Sequence, residues 1–99
     1  MKRFLVSVEA QKDVDLIAAY TTDTWGQQQT DRYLSQLEDG FQLLAENPRM
    51  GRLCDAISAG LRCHEVGKHT VFYRLKPGGV RIVRVLHQQM LPAKSRFKK

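Results

Sequence analysis

The stretch from Gly60 to Pro92, GLRCHEVGKHTVFYRLKPGGVRIVRVLHQQMLP, decides the fold of this chain. Apolar and polar residues alternate along three short runs, which are separated at Gly67-Lys68 and at Pro77-Gly78-Gly79. Such alternation is typical of half-buried strands, and glycine and proline mark the turns between them. The pattern therefore predicts three antiparallel strands, over Leu61 to Val66, Thr70 to Lys76 and Val80 to His87.

Both faces of this predicted sheet are partly apolar, so the pattern does not say which face meets the rest of the chain. In the last strand, strict alternation puts Ile82, Arg84 and Leu86 on one face and Val83 and Val85 on the other. A face that is half apolar and half arginine suits an amphipathic partner.

The first half of the chain predicts one short strand followed by two helices. Phe4-Leu5-Val6 is a β-prone run that is short enough for a strand at or near an edge. Ser7 is a good helix N-cap, and Gly26 is a helix-ending residue, so the first helix is expected between them. The apolar stripe of that helix consists of Ala10, Val14, Ile17, Ala18 and Trp25.

The second helix is predicted from about Gln28 to Glu46, where Asn47-Pro48 ends it. Its apolar residues recur at helical spacing: Tyr33, Leu34, Leu37, Phe41, Leu44 and Ala45. Gly40 within this helix is best explained by close packing against a neighbour. The connection from Arg49 to Ala59 is irregular by pattern, with Leu53 and Ile57 as its expected apolar anchors.

These elements predict an α+β fold in the order β-α-α-β-β-β: an N-terminal strand, an antiparallel helical hairpin and a three-stranded antiparallel sheet. At 99 residues the chain is expected to be a single domain over 1–99, with a short basic tail at 93–99 for which a disordered, solvated terminus stays an alternative.

The charge is distributed unevenly along the chain, whose formal net charge is +6. Residues 1–50 hold five Lys or Arg against eight Asp or Glu, whereas residues 51–99 hold eleven against two. The sheet half is therefore basic, which favours acidic protein, nucleic acid or an anionic membrane as a partner without choosing among them.

The cysteines and histidines limit which redox, metal-binding and nucleophilic roles can be expected. With no apolar signal region and no long apolar run, the chain is expected in the cytoplasm, without a membrane association and with Cys54 and Cys63 reduced. The cysteines and histidines lack ligand-like spacing, so we expect neither a metal site nor a cofactor. Cys63 is interpreted as a strand residue rather than a nucleophile.

Four ordered motifs carry a resemblance to a known family. They are NPRMGR at residues 47–52, GLR at residues 60–62, VGKHTVFYR at residues 66–74 and IVRVLH at residues 82–87. Together with SVEAQKDVDLIAAY at the start, they make residues 4–92 resemble the ParE toxins of the RelE/ParE superfamily.

The resemblance implies a toxin of a type II toxin–antitoxin system with a RelE/ParE-like fold. Proteins similar to this one are neutralised by a cognate, ParD-like or other, partly disordered antitoxin, with which they form a hetero-oligomer. Operator DNA is then bound only through the antitoxin. Members of the ParE branch poison DNA gyrase and block replication, and this is the expected target.

The RelE branch of the superfamily offers the alternative of a ribosome-dependent mRNA endoribonuclease. Such an enzyme needs basic groups around the reacting phosphate and a general acid or base. The candidates here are Arg62, Arg81 and His87. RNA-cleaving relatives carry a catalytic tyrosine or an equivalent group near the chain end, and this sequence has no tyrosine after Tyr73. We therefore favour a poison without catalytic residues of its own.

A third hypothesis stays open, a toxin that has lost activity and serves only as a corepressor. The binding residues expected from the sequence fall into two groups. Antitoxin contacts are expected at Arg62, Tyr73, Arg74 and Arg84. Target contacts are expected at His87, Met90, Leu91 and Arg96.

Overall fold

The computed structural model describes residues 3–89. Two helices follow the first strand and precede the three long strands, as the sequence predicts, and a short additional strand lies between the helices and those three. The elements are β1 (Arg3–Val6), α1 (Val8–Trp25), α2 (Gln27–Glu46), β2 (Arg52–Leu53), β3 (Arg62–Val66), β4 (His69–Lys76) and β5 (Gly79–His87). Within these residues, no helix is both long and apolar enough to cross a membrane.

All five strands form one sheet in the order β1-β5-β4-β3-β2. The three long strands pair antiparallel as predicted, and β1 lies at an edge, where it pairs parallel with β5. The α+β fold class is thus confirmed, with the refinement that the sheet is mixed. The two-residue strand β2 at the other edge was not predicted, because so short a run leaves no alternation to detect.

The helix boundaries follow from local chemistry. The Ser7 hydroxyl accepts a hydrogen bond from the Ala10 amide at 3.0 Å, which makes it the predicted N-cap of α1. Gly26, at φ 91°, turns the chain from α1 into α2. Trp25, however, is 67% exposed, so its assignment to the buried stripe is wrong.

The main core lies between the helical hairpin and one face of the sheet. All six apolar residues predicted for α2 lie in or against it, together with Val71, Tyr73 and Ile82 from the sheet. Gly40 of α2 faces Val66, whose Cγ2 atom would lie only 2.8 Å from a Cβ at that position. The predicted role of Gly40 in close packing is therefore confirmed.

A second, smaller core covers the opposite face of the sheet. It consists of Leu61, Cys63, Phe72, Val83 and Leu86, with Cys54 and Ile57 packed against it. Ile57 is thus an anchor of the connecting segment as predicted, whereas Leu53 is 56% exposed and is not. Cys54 and Cys63 form a disulfide, so the prediction of two reduced thiols is wrong for this structure.

An irregularity in β5 explains why strict alternation failed there. Tyr73 of β4 pairs with Ile82 but Phe72 pairs with Arg84, so Val83 is an extra residue in β5. Such a bulge reverses the sheet face to which each later side chain of the strand points. As a result Val85 joins Ile82 in the main core, and Leu86 joins Val83 in the second core, contrary to the predicted grouping.

The bulge is also where α1 is attached to the sheet. The Ser7 hydroxyl donates to the Val83 carbonyl at 2.9 Å. Asp13 accepts hydrogen bonds from Arg84 Nε at 2.7 Å, from the second Arg84 nitrogen at 2.8 Å and from the Val85 amide at 2.9 Å. One carboxylate therefore satisfies a backbone donor of β5 and pairs with its arginine.

Substitution of Asp13 by Asn should destabilise the fold by about 3 kcal/mol, because it leaves the Arg84 cation, whose side chain is only 19% exposed, without a counter-charge. Urea unfolding followed by circular dichroism measures the change. Asp15→Asn is the matched control, since Asp15 is exposed on the same helix and its carboxylate accepts a hydrogen bond from Gln11. Equal midpoints for both variants would contradict the assigned role of Asp13.

Candidate functional site

The three arginines expected to bind an antitoxin are each bonded within the chain. Arg62 of β3 donates to the Gly51 carbonyl at 2.6 Å, and Arg74 of β4 donates to the Ala59 carbonyl at 2.7 Å. Arg84 of β5 is paired with Asp13, and this hydrogen bond raises the pKa of the Arg84 guanidinium. All three guanidinium groups therefore have a structural role in this fold.

Tyr73, the fourth residue expected at the antitoxin interface, has no exposed surface. Its hydroxyl donates to the Pro48 carbonyl at 2.8 Å and accepts from the Gly51 amide at 2.9 Å. Burial raises the pKa of the Tyr73 hydroxyl, which stays a neutral donor. Tyr73 thus holds the segment after α2 against the sheet and is not placed to touch a partner.

Three cations that no carboxylate of residues 3–89 pairs with lie together around the β4–β5 turn. We use the name basic edge for Arg3, Lys76 and Arg81, which belong to three adjacent strands. Arg81 lies opposite Arg74 on one side and Leu5 of β1 on the other. Because its neighbours Val80 and Ile82 point into the main core, Arg81 points to the face away from the helices.

The basic edge has no acidic partner in the part of the chain that the structure describes. The ion pairs found between residues 3 and 89 are Arg52–Glu65 and Arg84–Asp13. Arg3 and Arg81 are exposed, and beside them Leu5 is 54% exposed. The edge therefore offers unneutralised positive charge next to apolar surface, which favours an acidic amphipathic ligand.

The three residues considered for RNA cleavage are not brought together. Arg81 and His87 lie at opposite ends of β5, six residues apart, which is about 20 Å along an extended strand. Arg62 is on β3, with β4 between it and β5, and its guanidinium is bonded to the segment at Gly51. The structure therefore contradicts a single catalytic site built from Arg62, Arg81 and His87.

His87 instead belongs to a small cluster with His69 and Tyr33. The two histidines are cross-strand partners with ring centroids 5.4 Å apart, and the Tyr33 hydroxyl lies 2.5 Å from His69 Nδ1. The same hydroxyl accepts a hydrogen bond from the Lys68 amide at 3.0 Å. Burial raises the pKa of the Tyr33 hydroxyl and lowers the pKa of His69, which nearby His87 lowers further.

A sequence pattern indicates some of the residues on this surface and does not indicate others. Asp13 carried a signal, because it is a carboxylate next to the apolar positions Ala10, Val14 and Ile17 of α1. The contact between Tyr33 and His69 carried none, since the two residues are 36 positions apart. Met90, Leu91 and Arg96, expected at the target interface, lie outside the described residues.

An exposed ridge on α1 was likewise not anticipated. Val8, Leu16 and Tyr20 recur at multiples of four residues and are 66%, 71% and 68% exposed. The first-helix stripe predicted from the sequence is the opposite, buried one. The charged exposed residues of this side include Glu9, Lys12 and Asp23, so its chemistry differs from that of the basic edge.

Comparison with known proteins agrees with the fold and the motifs. The family model described as the ParE toxin of the type II toxin-antitoxin system parDE matches residues 4–92. Toxin ParE1 of Mycobacterium tuberculosis is 44% identical over 89 residues, covering 89% of this chain and 91% of that protein. Toxin ParE1 of Caulobacter vibrioides is 40% identical over 92 residues, covering 91% and 93%.

Among solved structures, a chain titled as the chromosomal ParDE TA system from P. aeruginosa superposes with a TM-score of 0.75. At 18% sequence identity, over 88% of this chain and 96% of that one, it supports the fold alone. The sequence matches and the fold together define a toxin of a type II toxin–antitoxin system. Within that class, the chain belongs to the ParE toxin family.

The lowered pKa of His69 predicts a pH dependence of stability. The folded state binds a proton at His69 less readily than the unfolded state does. The contribution of neutral His69 to the free energy of unfolding is therefore complete above the ordinary histidine pKa of about 6.5. The free energy of unfolding decreases as the pH falls below that value, and it levels off below the folded-state pKa of His69. Urea unfolding between pH 5 and pH 8 should show the decline in the wild type.

The variant His69→Gln should show a smaller decline over the same pH range, since Gln does not titrate. His64→Gln is the matched control, because His64 is also partly exposed on a neighbouring strand and takes no part in the Tyr33 cluster. If the wild type and His69→Gln lose stability in parallel, the burial of His69 is not the cause.

Proposed function

We propose that this toxin poisons DNA gyrase and that a cognate antitoxin neutralises it by direct binding. Family membership carries the proposal, since residues 4–92 match the ParE toxin model and the ParE1 toxins of two bacteria are at least 40% identical. Gyrase is the target expected for the ParE branch. Trapping of the cleaved DNA complex would block replication without any catalytic residue in the toxin.

The placement of the basic residues supports a poison over a nuclease of the RelE type. General acid–base catalysis requires the participating groups to lie within hydrogen-bond reach of one reacting centre. The separation of Arg81 from His87 by about 20 Å does not meet that requirement. Arg62 and Arg84 are in turn engaged by the chain itself. A cationic surface without a convergent site suits binding rather than catalysis.

For the antitoxin, we propose docking at the basic edge. The structure titled as a ParDE system in P. aeruginosa supports an antitoxin as the partner of this fold. An acidic amphipathic segment would place carboxylates against Arg81 and Arg3 and an apolar side chain against Leu5. Arg74, directly opposite Arg81, adds to the field at this edge while it stays bonded to the Ala59 carbonyl.

Purified toxin should inhibit supercoiling by purified gyrase and cause cleaved DNA to accumulate. Toxin premixed with its cognate antitoxin is the control and should leave supercoiling intact. A brief pulse of toxin in cells should induce the DNA-damage response without new codon-associated 5′ ends in mRNA. Toxin that arrests growth while gyrase works normally would overturn the proposed target, and codon-associated cuts would indicate the nuclease instead.

Substitution of Arg81 by Glu should weaken antitoxin binding roughly three- to tenfold at low salt, with a smaller effect at high salt, because the contact is an exposed charge pair. Isothermal titration calorimetry at two salt concentrations measures both quantities. Lys12→Glu on the outer side of α1 is the matched control and should bind as the wild type does. Equal weakening by the two reversals would remove the basic edge from the interface.

A further inference from the structure

The segment 54–60 covers the second core of the protein. We call this segment the strap. Its residues Cys54 and Ile57 pack against the cluster that includes Leu61 and Phe72, on the sheet face away from the helices. The strap contains no strand or helix, so its own backbone bonds are those of tight turns. It therefore depends on its contacts with the sheet for its position.

Besides this apolar packing, hydrogen bonds and a covalent bond hold the strap to β3 and β4. Arg74 donates to the Ala59 carbonyl at 2.7 Å and to the Ser58 hydroxyl at 2.6 Å. The disulfide joins Cys54, at the start of the strap, to Cys63 in β3, nine positions further on. The disulfide is the covalent contact, whereas the Arg74 bonds are exposed or only partly buried and compete with water.

The two sulfurs differ in access. Cys63 is 1% exposed, while Cys54 is only partly buried and lies at the border of the strap. A small thiolate can therefore reach the sulfur of Cys54 but not that of Cys63. Since thiol–disulfide exchange depends on which sulfur is attacked and on access to it, this difference sets the direction of the reaction.

We propose that Cys54 and Cys63 form a reversible thiol–disulfide exchange site for a low-molecular-weight thiol, and that reduction releases the strap from the second core. In the first step the external thiolate bonds to the sulfur of Cys54, and Cys63 leaves as a thiolate that takes a proton. In the second step another thiolate bonds to the external sulfur of the mixed disulfide, and Cys54 leaves as a thiolate that takes a proton. The products are two protein thiols and one oxidised small-molecule disulfide, which reverses the reaction when it is in excess.

Release of the strap changes the surface of the protein. The apolar side chains of Leu61 and Phe72, now covered, become accessible beside Arg74, which loses its partners in the strap. In a reducing compartment the face away from the helices would thus be apolar and basic, and under oxidation it would be closed. The exchange at Cys54 and Cys63 requires neither gyrase as the target nor any particular antitoxin.

The full-length chain is equilibrated in buffers of defined reduced and oxidised glutathione, and free thiols are trapped with a maleimide and counted by mass spectrometry. Hydrogen exchange is measured in the same samples. Reduction should speed amide exchange in residues 54–61 roughly tenfold while exchange in α2 stays the same. The melting temperature should fall by about 10 °C, as expected for loss of a disulfide in a domain of this size.

The variant Cys54→Ser should show the faster exchange at every glutathione ratio. Ser58→Ala is the matched control, because it removes one bond to Arg74 but leaves the exchange of residues 54–61 sensitive to glutathione. The proposal is overturned if both thiols stay reactive in oxidised glutathione, if the cysteines join two chains rather than one, or if residues 54–61 exchange equally fast in both redox states.

Discussion

The attachment of α1 to the bulge of β5 through Asp13 is the interaction on which the rest of this structure depends. Strand β1 covers the edge of β5 only as far as Ile82, after which the chain turns into α1. The Val85 amide beyond that point would lack a partner, and an unpaired buried donor is costly. Asp13 supplies the acceptor and Ser7 supplies a donor to the Val83 carbonyl. The helix and the irregular strand therefore satisfy each other.

The consequences of the bulge extend to both cores. Because one extra residue reverses the facing of β5 after Val83, Val85 and Leu86 exchange the positions that alternation gives them. Arg84 is drawn to Asp13 and away from solvent. Arg84, which the sequence led us to expect at an antitoxin interface, is instead part of the contact between helix and sheet.

The sequence predicted what depends on neighbours along the chain and missed what depends on distant pairs. Ser7 as a cap, Gly26 as a stop and the apolar stripe of α2 are local patterns, and each is observed. The bulge at Val83, the strand β2 and the buried state of Tyr73 depend on partners in other elements, and no local period encodes them. The same holds for the candidate site: the sequence shows which residues are arginines, but it does not show which distant groups of the chain they bond to.

Several arginines are bonded within the chain, so fewer positive charges are available to a partner than the sequence contains. The second half of the chain holds eleven cations, yet Arg52, Arg62, Arg74 and Arg84 are each engaged by a carboxylate, a carbonyl or a hydroxyl of this chain.

Neutralised or bonded guanidinium groups contribute less to a partner's binding than free ones, since a new contact must replace an existing one. Arg81 and Arg3 have no such partner among residues 3–89, and cross-strand pairing brings both to the same corner as Leu5. Together with Lys76 they form a patch of positive charge that no carboxylate among residues 3–89 pairs with, at one edge of the sheet and next to exposed apolar surface.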